Sequence, residues 1–372
     1  MPAVRGTICP ISLLQKAIEI REAQALRCLL LFGEGLASAR YSAECEGRTL
    51  LPVGRRIGRY ELVRRVGRGG RGEVWDAVLH GPLGFRRQVA LKLLQRGPVD
   101  RETQEALVRE ARTGALMSHP NVVSIHELSE WQGTWFFAME LVRGPPLTAL
   151  SAAPMPPGCL VELGIHASAG LAHIHAHTSL AGEPLVHRDI KPGNLLLDRS
   201  GLVKVSNLSV AGWAGDSVTS AADTLGYAAP EQLVGRAEPR SDLFSLGVTL
   251  YRLCAGAMPF AKEASSAEIC AALADGAVMT SIEERAPELA PVIARCLQPD
   301  PEDRFDSAMA LGAALRALRG TFPADPTLVD LLAARRGDRL PSDIGGASPN
   351  TATAARVRTN HNVPGRAQPP RS

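Results

Sequence analysis

His187-Arg188-Asp189-Ile190-Lys191-Pro192-Gly193-Asn194 is the stretch on which the reading of this chain turns. It sets a carboxylate, an ammonium and a carboxamide in the order that phosphoryl transfer needs. Asp189 suits a base for the attacking hydroxyl, Lys191 a cation for the migrating phosphate, and Asn194 a ligand for magnesium. About a dozen residues downstream the chain reads Asn207-Leu208-Ser209. Asn207 keeps an amide oxygen but lacks the charge that a hard divalent ion prefers.

Upstream, Gly67, Gly69 and Gly72 have a spacing that lets backbone amides approach phosphates where a Cβ would clash. Alone this is weak in a chain with 35 glycines. A dinucleotide fold would need a strand before the glycines and a helix after them. Here strand-like runs flank both sides, Tyr60–Val63 and Glu73–Val78, and Val66 and Val74 bracket the glycine turn. Val89-Ala90-Leu91-Lys92 then puts an ammonium on a strand, with Ala90 two residues before it. Of 41 basic residues only five are lysines, and two of those are Lys92 and Lys191, where a compact point charge suits phosphate chemistry.

The 372 residues, 45% hydrophobic and 21% charged, suit a protein with a buried core and roughly two domains. A net charge of +3 without a dominant basic run gives no argument for nucleic acid. The seven cysteines contain no Cys-x-x-Cys pair and point to neither a disulfide framework nor zinc. No apolar run reaches the roughly 18 residues of a membrane span, since Cys28–Phe32 is closed off by Arg27 and Glu34. A cytoplasmic protein without membrane or nucleic-acid partners is expected.

Leu14, Ile18, Ala25, Leu29 and Phe32 recur at helical spacing, so the extension 1–57 is expected to carry an amphipathic helix. A sheet-rich unit at 58–142, with a helix over Glu102–Met117, precedes a helical unit at 143–319. The Pro-, Ala- and Arg-rich remainder, 320–372, is expected to be disordered, with Arg356, Arg358, Arg366 and Arg371 as solvated charges. His173, His175 and His177 lack a nearby carboxylate or cysteine at ligand spacing and read as partly exposed side chains rather than a metal site.

With these motifs in order, residues 60 to 318 resemble a bacterial, eukaryotic-like (Hanks-type) serine/threonine protein kinase. The resemblance implies an α+β bilobal fold, a small β-rich lobe and a larger helical lobe, with ATP and Mg2+ between them and a protein as substrate or regulated partner. It makes Glu110 the ion-pair partner of Lys92, and Met139 the gatekeeper of a hinge whose Glu140 and Val142 backbone faces adenine. Leu196 becomes the pocket floor, Asn194 and Asn207 the metal ligands, and Glu231 and Arg304 a structural ion pair. Phosphorylation is expected at Ser217, Thr219 or Ser220, with Thr224 unmodified. Gly114 removes the side chain that would face Leu208, which predicts a less anchored helix. Because of Asn207, a weakened magnesium site that could also take Mn2+, a slow kinase, and a pseudokinase scaffold all fit.

Overall fold

The computed structural model describes residues 53–336 apart from 70–71, 95–100, 152, 179–181, 209–211, 214–224 and 324. The helix expected near Ile11–Phe32, the residues Ser217, Thr219, Ser220 and Thr224, and the tail from 337 lie outside the described residues.

Six antiparallel strands make the first sheet: β1 Arg56–Ile57, β2 Tyr60–Gly69, β3 Gly72–His80, β4 Arg86–Leu94, β5 Ile125–Trp131 and β6 Thr134–Met139, in the order β1-β2-β3-β4-β6-β5. Along β4, Val89, Leu91 and Leu93 are buried on one face while Ala90 and Lys92 take the other, the two-residue period of a strand. Of the three motif glycines, Gly72 is demanded by geometry. Its φ is +140°, and a Cβ there would lie 2.0 Å from Leu93 O on the neighbouring strand.

Helix α1, Arg101–Leu116, lies against β5. Gly114 permits this, because a Cβ there would come within 2.2 Å of Ile125 Cδ1. Gly114 thus faces Ile125 of β5 rather than Leu208, which corrects the neighbour that the sequence reading gave it.

The second lobe is built on two long buried helices, α2 Pro157–His175 and a later α4 Pro239–Ala255. Between them come β7 Leu185–Val186, β8 Leu195–Leu197, β9 Val203–Val205, β10 Gly212–Trp213 and the short α3 Pro230–Leu233, with β8 paired to β9 and β7 to β10. Pro239 at the first helical turn and a reciprocal Glu238–Ser241 cap start α4, and Gly256 at φ +78° ends it. Helices α5 Ser266–Asp275, α6 Thr280–Arg285, α7 Ala290–Cys296 and α8 Ala308–Ala317 close the lobe around a core of Leu, Ile, Val and Phe.

The expected tail needs correction at its start. Leu328–Arg336 forms a ninth described helix, α9, which buries Leu328 and Leu332 in the core of the second lobe. Asp325 Oδ2 accepts from Gly158 N at 2.7 Å, capping α2, whose own flanking Pro156 offers no side-chain cap. Among the described residues no helix is long and apolar enough to cross a membrane.

Candidate active site

The decisive octapeptide leaves β7, turns through Pro192–Asn194 and enters β8. Its first turn hangs on Asp242 of α4, which is 0% exposed. Asp242 Oδ2 accepts from His187 N and Oδ1 from Arg188 N, both at 2.8 Å. His175 Nε2 lies 2.8 Å from the same carboxylate, so this histidine, read from sequence as a partly exposed side chain, belongs to the loop's foundation. Gln232 Nε2 donates to Arg188 O at 2.9 Å. With these bonds the loop holds Arg188 at φ +67°, a left-handed conformation that costs a residue with a large side chain of order 1–3 kcal/mol.

The strain is spent at Asp189, which is buried to 4% exposure. Lys191 Nζ lies 2.9 Å from Asp189 Oδ1. Oδ2 accepts from Asn194 Nδ2 at 2.7 Å and from Asn207 Nδ2 at 3.2 Å. Across the cleft, Lys92 Nζ donates to Asn207 Oδ1 at 3.2 Å. One amide therefore spans the gap between the strand lysine and the loop carboxylate, accepting from one and donating to the other. Asn207 sits at φ +68°, a region that Asn and Asp enter more readily than most residues. Leu208 follows it into the core at 3% exposure.

This constellation, on a twisted sheet above and helices below, is matched over residues 60–314 by the protein kinase domain family. The chain belongs to the protein kinase family. Among curated relatives it is 34% identical over 285 residues to the tyrosine-protein kinase MasK of Myxococcus xanthus, covering 72% of this chain and 44% of MasK. It is 34% identical over 314 residues to the serine/threonine-protein kinase PknA of Mycobacterium tuberculosis, covering 81% of this chain and 67% of PknA. The chain thus spans under half of MasK and about two thirds of PknA. The crystal structure of the Mycobacterium tuberculosis PknI kinase domain superposes with a TM-score of 0.54 at 25% identity, covering 72% of this chain and 99% of that domain. The bacterial Hanks-type family and its bilobal fold are thereby established.

The remaining residues singled out from the sequence lie on the elements that adjoin this set. Val74, Ala90 and Met139 lie on the adjoining strands β3, β4 and β6, in a register that pairs Val74 with Lys92 and Ala90 with Met139. Val66 is the extra residue in an irregularity of β2 between Arg65 and Gly67 and is 43% exposed. Glu110 lies on α1, but its side chain is outside the described residues. At the hinge, Glu140 N donates to Ser124 O at 2.9 Å, so its N–H is spent within the protein and its carbonyl is the group left for a ligand. Val142 follows on the same segment, and Leu196 on β8 bridges to Pro146.

Sequence reasoning missed an ion pair between a buried lysine and the half-buried Glu140. Lys204 of β9, 8% exposed, has its Nζ 2.8 Å from Glu140 Oε1 and 3.1 Å from Oε2. Only the scarcity of lysine in this chain could have drawn notice to it. The expected Arg304–Glu231 pair is present and bidentate, Nη1 to Oε1 at 2.7 Å and Nη2 to Oε2 at 2.9 Å, with the Arg304 side chain 0% exposed.

Burial pushes the Asp242 carboxyl up, but the hydrogen bond and charge of His175, with the charge and N–H of His187, outweigh it and leave the group below the usual aspartate range. Burial lowers the His187 imidazole despite the nearby carboxylates. His173 stacks on His119 with ring centroids 5.0 Å apart and meets His177 edge-on at 4.9 Å. Among the described residues no group of three His, Cys, Asp or Glu is placed to hold a metal.

Proposed function

We propose that the chain is an ATP-dependent serine/threonine protein kinase whose rate is limited at Asn207. The observation that carries this reading is the single hydrogen-bonded set Lys92–Asn207–Asp189, with Lys191 and Asn194 on the same carboxylate. In the reaction Lys92, held on its strand, orients the ATP phosphates, and Glu110 of the following helix is the partner that the family resemblance assigns to it. Asp189 takes the proton of a substrate Ser or Thr hydroxyl, and Lys191 beside it neutralises charge on the transferred phosphoryl group. The hinge carbonyl of Glu140, with Val142, Ala90, Val74, Val66 and Leu196, receives the base. Gly67, Gly69 and Gly72 keep the strand turn close over the phosphates.

A divalent ion, when bound in such a site, neutralises charge between the phosphates. Asn194 and Asn207 offer it only neutral amide oxygens, and the Asn207 oxygen already faces Lys92. That donor set does not fit a tightly held hard cation, so magnesium binds weakly and manganese can substitute. A missing charge worth roughly 3–5 kcal/mol in the transition state slows transfer about 10²–10⁴-fold.

A second reading, a pseudokinase that regulates a partner protein, is favoured by one observation: the neutral amide of Asn207 by itself joins the strand lysine to the loop carboxylate. In either reading the protein acts in the cytoplasm on another protein.

The test is transfer of the γ-phosphate from ATP to the protein itself and to generic protein substrates, with magnesium and manganese compared. Slow transfer that Asp189→Ala abolishes supports the kinase. ATP binding without transfer in either metal supports the scaffold.

A further inference from the structure

A substrate hydroxyl that hands its proton to Asp189 has to pass Lys191, whose Nζ lies 2.9 Å from Asp189 Oδ1. One neighbour of that approach is Gly193, where a Cβ would lie 3.8 Å from Thr148 Cγ2, and neither residue carries charge. The other is the single turn Leu225–Tyr227, which packs against α4. Burial pushes the Tyr227 hydroxyl up, and the charge and hydrogen bond of Arg252, with the charge of Lys191, pull it part of the way back. One phenol thus stands within reach of two cations, Lys191 at the loop carboxylate and Arg252 on the last turn of α4. A third cation adjoins the same turn, since a Cβ at Gly226 would lie 3.5 Å from Lys262 Cα and 3.8 Å from its Cγ.

No carboxylate answers this charge. Among the described residues Tyr227 is the only side-chain partner of Arg252, and neither Arg252 nor Lys262 forms an ion pair. Asp189 is engaged by Lys191, and Glu231, four residues beyond Tyr227, by Arg304. Arg252 is half-buried and Lys262 exposed, so both keep donors open to solvent. The dipole of α4 favours a cation at Arg252, and the migrating phosphate favours one at Lys191, but neither accounts for Lys262. Lysine is scarce in this chain, and of the four described lysines Lys92, Lys191 and Lys204 belong to the cleft and hinge, which leaves Lys262 as the fourth. Three cations around one turn repel one another and gain from an anion placed among them.

We propose that Arg252 and Lys262 determine substrate specificity, binding an acidic side chain of the protein substrate close to the residue whose hydroxyl reaches Asp189. The inference rests on the phosphoryl-transfer reading above and names its substrate class. A glutamate or aspartate there gains charge-assisted contacts, whereas a lysine or arginine meets the repulsion of three cations. The neutral flank of Gly193 and Thr148 offers no such choice, so the preference belongs to one side of the acceptor residue.

Fluorescence anisotropy with the full chain, a non-hydrolysable ATP analogue and labelled peptides tests this. Each peptide has alanine at the acceptor position and one glutamate or lysine at a single flanking position, so binding is read without any need for transfer. The same peptides with serine at the acceptor position are assayed for phosphate transfer in parallel. On one side of the acceptor, wild type should bind the glutamate peptide about tenfold tighter than the lysine peptide, and the ratio should shrink at high salt. Arg252→Gln, which can keep the hydrogen bond to Tyr227 while removing the charge, should bring the ratio close to one. Lys262→Glu, an exposed change that does not put folding at stake, should lower the ratio as well, by adding repulsion for glutamate and attraction for lysine. A ratio near one in wild type, no binding of either peptide at millimolar concentration, or a ratio that both variants leave unchanged overturns the inference, whether or not phosphate is transferred. Selection of the acidic peptide in the expected pattern, without transfer in magnesium or manganese, supports the inference and overturns the catalytic reading alone.

Discussion

An amide at position 207 changes what its neighbours do to one another. Asn207 donates to Asp189 Oδ2 at 3.2 Å, a separation at which a second carboxylate would repel the first unless a cation lay between them. The left-handed backbone at φ +68° suits Asp as well as Asn, so Asn207→Asp alters charge with little strain. The variant is expected to melt lower than wild type in chelator and to recover with millimolar magnesium and ATP, whereas wild type should respond weakly to the metal. In a radiometric assay its phosphoryl transfer should exceed wild type by at least about tenfold, with Asp189→Ala in the same background removing the gain. A folded variant that binds ATP and magnesium without any transfer would favour the scaffold reading. His187 carries a second consequence at this scale. Its Nε2–H donates to Ser206 O at 3.1 Å while Nδ1 accepts from Asp189 N at 3.2 Å, so the neutral ring is satisfied and a second proton would break the bond to Asp189. Its folded pKa lies below the unfolded value near 6.5, so the stability it contributes is complete above that value and is lost as the pH falls through the folded pKa. The melting temperature should decline from pH 7.5 to pH 5, with a shallower decline in His187→Gln.

Among the elements, those that carry chemistry were the most readable. The octapeptide, the glycine turn and the lysine strand use residue types that phosphoryl transfer calls for, and Asp189, Lys191, Asn194 and Lys92 converge on one hydrogen-bonded set with Asn207. What supports them was harder to see, because support comes from distant side chains of ordinary type. Asp242 lies 55 residues from the His187 amide it holds, and His175 lies 67 residues from Asp242. Helix α9 was lost for another reason. Leu328 and Leu332 anchor it, and two leucines four apart inside a Pro- and Arg-rich run are too short a pattern to stand out. Its contribution is measurable, since Leu328→Ala should cost about 2–5 kcal/mol in chemical denaturation. Arg304 should be more sensitive still. Beyond Glu231 it donates to the carbonyls of Gln298, Arg240 and Pro299 at 2.8–3.0 Å, so Arg304→Ala removes the counter-charge of Glu231, which keeps only the Ser241 hydroxyl, along with a donor to each of three carbonyls. A loss of about 3–5 kcal/mol is expected, and Arg304→Lys should not restore it, lacking the bidentate fork.

Across the whole molecule the two lobes share more than the hinge. Nucleotide that bridges them should raise the melting temperature in proportion to the logarithm of its concentration above Kd, and Lys92→Met should blunt that rise. The segment between α1 and β5 is stitched into the second lobe: Val123 N donates to Val205 O and Val205 N to Asn121 O, both at 2.8 Å, and Asn121 Nδ2 to Val203 O at 2.9 Å. Gly170 of α2 keeps that seam closed, since a Cβ there would lie 2.6 Å from Asn121 O. The trailing end of α1 is therefore pinned to β9, the strand that leads directly to Asn207, while its leading end, about 24 Å away for 16 residues, has no such backbone tether among the described residues. Mechanically this is a lever with a fixed fulcrum. Any swing of the helix is largest near Arg101 and vanishes near Met117, so a force applied at the leading turn has the greatest leverage on the cleft. Amide exchange should accordingly quicken along α1 from its last turn to its first, while Val123 and Val205 stay protected.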